Sequence, residues 1–97
     1  MAKDLQTLIE RAIAAADTAE QRAADATEAT RGQFRQLHAQ LHEARATVAR
    51  GGVPDCAGLL RWVADWIPDI DDPLLARVGA LERAATKSML SQPSLRR

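Results

Sequence analysis

Residues 14–33 read AAADTAEQRAADATEATRGQ, twenty consecutive positions with no apolar side chain larger than alanine. Eight are Ala, six are charged, five are Thr or Gln and one is Gly. Alanine loses no rotamer freedom in a helix and is the best helix former. It also buries little, at about 0.8 kcal/mol per CH₂ removed from water. The stretch is therefore expected to be helical yet almost without a core of its own. Its stability has to come from close contact along its length with another helix, in the same chain or a second one.

Working outward, one apolar seam runs through the first half of the chain: Leu5, Ile9, Ala12, Ala16, Ala19, Ala23, Ala26, Thr30, Phe34, Leu37, Leu41, Ala44 and Val48. Steps of four and three alternate as in a coiled coil, except between Ala26 and Phe34, where four-residue steps follow one another. Such a stutter unwinds a supercoil locally. Gly32 lies inside it, and glycine costs about 1 kcal/mol against alanine in a helix. A bend or break is expected at residues 30–33. Asp4 is the expected N-cap of this helix, and Arg50-Gly51-Gly52 its end.

Beyond the turn, Pro54-Asp55 suits a helix start, and Pro68 stops the helix at Trp66 or Ile67. Asp71 or Asp72 ahead of Pro73 starts the last helix, which carries Leu74, Leu75, Val78, Leu81 and Ala85 at helical spacing. No strand pattern occurs. The fold class is all-α: a long Ala-rich N-terminal helix with two shorter helices folding back on its C-terminal half. The chain reads as a single helical domain over 1–97. Within it, 1–33 is a rod and oligomerisation segment, 34–91 a three-helix globule and 92–97 a disordered tail.

Size sharpens the choice. One straight helix over residues 4–49 would span about 69 Å, whereas a compact domain of this length has a radius of gyration of about 13 Å. Either the rod breaks near Gly32 and closes a four-helix bundle, or its Ala-rich end protrudes and pairs with another subunit. The second arrangement is preferred, because no other segment is as thin. It makes a coiled-coil or bundle homodimer with Ala12, Ala16, Ala19, Ala23 and Ala26 at the interface.

Composition excludes several functions. The chain carries 13 basic and 13 acidic residues, whereas a nucleic-acid binder shows a basic excess. The distribution is uneven: residues 51–73 set Arg61 against five aspartates, and residues 74–97 set Arg77, Arg83, Lys87, Arg96 and Arg97 against Glu82. A single cysteine, Cys56, rules out an intrachain disulfide. No apolar run reaches membrane length and no signal peptide is recognisable, so a soluble, cytoplasmic protein is expected. Eleven Arg against two Lys, with heavy Ala use, points to a GC-rich bacterial genome or its phages and plasmids.

Few residues suggest chemistry. His38 and His42 share a helix face, but a third metal ligand is missing, so no metal and no cofactor is expected. Asp69, Asp71 and Asp72 lack the spacing of a calcium loop and read as helix caps. Cys56 is expected in the first turn of a helix as a small buried residue. The tryptophans, Trp62 and Trp66, fall near Leu41 and Leu37 by the hairpin register. They read either as core or as anchors for a partner, since tryptophan is enriched among binding hot spots. No phosphate loop, nucleophile motif or catalytic carboxylate pair is present. The expected function is a non-enzymatic protein-interaction module, an adaptor or inhibitor that binds a larger protein or complex. The alternative is a DNA-associated accessory protein of a bacterium, phage or plasmid.

Overall fold

The computed structural model describes residues 2–23, 27–67 and 69–90. Four helices follow one another: α1 (Ala2–Arg22), α2 (Glu28–Ala49), α3 (Leu59–Trp66) and α4 (Pro73–Leu90). Helix α1 lies against both α2 and α4, and α3 lies against α4. Among the described residues there is no strand, and no helix is long and apolar enough to cross a membrane.

The long N-terminal helix expected from sequence is two helices. It is not interrupted at Gly32, which lies within α2: α1 ends at Arg22 and α2 begins at Glu28. The last bonds of α1 run from Ala23 N–H to the carbonyls of Ala19 and Glu20, both at 3.1 Å. Thr27 then takes an extended backbone and its hydroxyl accepts the Thr30 N–H at 3.2 Å, capping α2. An N-cap threonine contributes about 1 kcal/mol, as much as Gly32 costs, and it fixes the boundary. The double four-residue step in the seam is where two helices of independent phase meet. Asp4 lies in the first turn of α1 rather than ahead of it.

The hairpin is antiparallel: Glu20 and Asp17 face His38, and Glu10 faces Arg45. This register sets the thin end of α1 beside the bulky start of α2, with Phe34 and Leu37, and sets Leu5 and Ile9 beside Ala44 and Val48. Small side chains on one helix thus admit large ones on the other. Ala12, Ala16 and Ala19 are 0–5% exposed within the single chain. The seam is therefore covered by α2 and α4 without a second copy. The expected protruding rod required an unbroken helix; with the break, the molecule is 49 Å along its longest axis. Ala23 is half-buried against the same core. Ala26 and the tail 92–97 lie outside the described residues.

Helix α2 ends as its glycines require. Gly51, at φ 87°, donates to Val48 O at 2.9 Å, and Gly52 donates to Thr47 O at 2.9 Å, the paired bonds of a Schellman cap. Residues 53–58 then run back along α2 without forming a helix, so the start expected at Pro54 is displaced to Leu59. Asp72 caps α4 by accepting the Leu74 N–H at 2.9 Å, with Pro73 in the first turn where no N–H is needed. Trp66 on α3 meets Phe34 near the start of α2, and the helices run up-down-up-down. The core comprises the α1 and α2 seams with Leu59 and Val63 of α3 and Leu74, Val78, Leu81 and Ala85 of α4.

Candidate functional site

Helix α3 is eight residues long, too short to hold its shape alone. Gly58, at φ 80°, offers it no side-chain cap. The cap comes from α4: the Glu82 carboxylate accepts the Gly58 N–H at 3.1 Å and the Leu60 N–H at 2.8 Å. A carboxylate at a helix N-terminus also meets the positive end of the helix dipole. Glu82, the lone acidic residue of the basic C-terminal segment, thus fixes where α3 sits on α4. Gly79 permits the approach, since a Cβ there would stand 3.3 Å from Leu60 Cδ2 and 3.4 Å from Arg83 Nη1.

Along this contact runs an open groove of about 600 Å³, lined by Leu60, Arg61, Gly79, Glu82, Arg83, Thr86, Lys87 and Leu90. Its floor is apolar and its rim holds three cations, Arg61, Arg83 and Lys87. Leu90 is 78% exposed at one end. Arg77 of the expected basic set lies away from it, beside Pro73 and α1. Arg96 and Arg97 lie outside the described residues.

The tryptophans occupy another region. Phe34, Trp66 and Trp62 form a chain of edge-to-face contacts, with centroids 5.0 Å and 5.3 Å apart. Such pairs add about 0.5–1.5 kcal/mol each beyond area burial. Both indoles are half-buried and pack on the core. Trp66 meets Phe34, one turn beyond the expected Leu37, because the helix begins at Leu59 and not at Pro54. Its indole Nε1–H is buried with no hydrogen-bond partner among the described residues.

Three other expectations are resolved by geometry. Asp69 Oδ1 accepts the Asp71 N–H at 2.9 Å, so with Asp72 the acidic run turns the chain and caps α4. Cys56 precedes α3 and is buried beside α2; desolvation, then the charges of Asp55 and Glu82, pushes its thiol up to about 11. It is a poor nucleophile in that state. His42 Nδ1 accepts from Arg45 at 2.8 Å, and Arg45 also reaches Glu10 at 3.4 Å.

His38 has company that chain order concealed. Its Nε2 lies 3.4 Å from Asp17 Oδ1 and 3.2 Å from Glu20 Oε1, both on α1. These three, among the described residues, form the one cluster of three potential metal-ligating side chains. Sequence reasoning missed Asp17, Glu20 and Glu82, because each acts across about twenty residues of chain. The i, i+3 spacing of Asp17 and Glu20 was the available signal. Comparison with known proteins adds no guide: no family model matches the chain, and no curated protein and no solved structure shows significant similarity.

Proposed function

We propose that this chain is a non-enzymatic, cytoplasmic protein-interaction module, an adaptor or inhibitor that docks on a larger protein through the α3–α4 groove. The observation that carries the reading is the groove itself: apolar Leu60, Gly79 and Leu90 line it beside the cations Arg61, Arg83 and Lys87, and its one acid, Glu82, is engaged by the Gly58 and Leu60 amides. That chemistry suits an acidic segment with apolar side chains at intervals, its carboxylates on the rim and its apolar face on the floor. The tryptophans serve this reading indirectly. Their stack on Phe34 holds the far end of α3, and Glu82 holds the near end, so one wall of the groove is rigid.

The test places a photo-crosslinking residue at Thr86 in the groove and, as a control, at Gln36 on α2, in extract of the source organism. A protein captured only from Thr86 is then purified and titrated against the wild-type chain and Arg83→Glu. Weakening by about tenfold or more on charge reversal is expected, on the scale of close interfacial charge pairs. Binding that ignores Arg83→Glu and Arg61→Glu overturns the reading. The same rim also suits phosphate, so random duplex DNA is titrated at two salt concentrations. Tight binding with a steep salt slope would replace the protein partner with nucleic acid.

A further inference from the structure

Helix α1 gives the core only alanine beyond Ile13, and the Asp17–Glu20–His38 cluster lies over that stretch. Two carboxylates one turn apart on α1 converge on one imidazole nitrogen from α2. Among the described residues, no Arg or Lys pairs with Asp17 or Glu20. His38 is, among the described residues, the one basic side chain that the two carboxylates meet.

Two of the three separations match those in a coordination sphere, and all three ligand atoms lie within 4.8 Å of one another. Nitrogen and oxygen ligands lie about 2.0–2.2 Å from zinc. Two ligands at that radius are about 3.0 Å apart in cis octahedral geometry and about 3.4 Å apart in tetrahedral geometry. The observed separations are 3.2 Å and 3.4 Å. The side chain of His38 is 21% exposed while those of Asp17 and Glu20 are 57% and 43% exposed, so the site opens to solvent on one side. Three protein ligands then leave room for water. His42, one turn along and engaged by Arg45, is not among the converging atoms.

We propose that Asp17, Glu20 and His38 bind one divalent first-row transition ion, zinc for instance, which clamps α1 to α2 where the apolar seam is thinnest. The imidazole favours zinc, cobalt or nickel over magnesium and calcium, which prefer oxygen alone. The ion neutralises the two carboxylates and ties the helices together by bonds available only in the folded hairpin. It therefore stabilises the fold by mass action.

The experiment uses the full chain freed of metal by chelator and then supplied with zinc chloride, magnesium chloride or neither. Expected is one zinc per chain by calorimetry, with a melting temperature about 5 °C or more higher in excess zinc. Magnesium has no such effect. His38→Gln and Glu20→Gln, shown to be folded by circular dichroism, lose the zinc shift, while His42→Gln keeps it. Three results overturn the proposal: no shift in the wild type, a shift that survives His38→Gln, or an equal response to magnesium.

Discussion

Helix α1, richest in alanine, and helix α3, the shortest, both depend on neighbours, but for different reasons. Helix α1 forms readily, because alanine and other good helix formers such as Leu, Glu, Gln, Lys and Arg fill most of its positions, yet it has little to bury. Its seam passes from Leu5 and Ile9 to Ala12, Ala16 and Ala19, and α2 and α4 close over it. Helix α3 has the opposite character. It offers Leu59, Val63 and two tryptophans to its neighbours, but its eight residues give too few internal bonds to offset the cost of nucleation. It needs Glu82 to cap it and Phe34 to hold its far end. Local propensity makes a helix that packing must place, or packing makes a helix that propensity would not form.

The sharpest way to break this comparison is a charge in the α1 seam. Ala16 is fully buried, and Ala16→Glu is expected to cost about 4 kcal/mol or more, a large share of a small domain's stability. Chemical denaturation with light scattering checks it. A seam held inside one chain unfolds; a seam shared between copies instead yields a folded species of lower mass.

Next in size is the far end of α3. Trp66→Ala removes an indole from the stack on Phe34 and should cost about 3 kcal/mol. Trp66→Phe keeps the edge-to-face contact and deletes the unpaired Nε1–H, whose burial is itself unfavourable. Its expected loss is below about 1 kcal/mol, and urea denaturation of the two variants gives the ranking. The near end comes third. Glu82→Ala leaves the Gly58 and Leu60 amides without their acceptor, at about 2 kcal/mol. Glu82→Gln keeps one good acceptor and loses about half of that. Hydrogen exchange at Leu60 in Glu82→Ala should quicken far more than exchange in α2, because α3 is the part released.

These regions also differ in how far chain order discloses them. The two stretches of the seam, Leu5 to Ala19 and Phe34 to Val48, the Gly51-Gly52 end and the Asp72-Pro73 start are signals within a few residues, and the core and the helix bounds show each of them where the chain places it. The start of a second helix at Glu28 was obscured by Gly32, a stronger local breaker than Thr27 until the cap is counted. The groove and the His38 cluster were not legible. Glu82 meets the start of α3, and Asp17 meets His38, only once the hairpins have closed. No periodicity carries information about a partner twenty residues away. Residue size misled as well: the alanines seemed to need an equally thin partner, whereas antiparallel register gave them a bulky one.

The smallest expected effect tests the joint between the halves, residues 50–58, where Cys56 is buried with Asp55 and Glu82 nearby. Its thiol ionises at about 11 in the folded chain, against an ordinary value of 9.0 for a thiol in water. Below about pH 8 the thiol is almost wholly protonated in both folded and unfolded chains and contributes little pH dependence. Above it the unfolded chain loses the proton first, so the unfolded state binds fewer protons and stability falls as pH rises, until the folded thiol also ionises. The loss amounts to about 1.4 kcal/mol by pH 10. Lysine and arginine contribute to any alkaline trend, so the measurement is the difference between wild type and Cys56→Ala in urea denaturation from pH 8 to pH 11. The two stability curves should converge with rising pH if the alanine variant starts lower, or diverge, with the wild type falling below, if it starts level. Parallel curves would place Cys56 in water, with the joint detached from α2. A disulfide-exchange probe at pH 8 gives the kinetic counterpart: modification of a buried, protonated thiol waits on opening of the joint, so Glu82→Ala, which loosens α3, should accelerate it while Ala14→Ser on the exposed face of α1 should not.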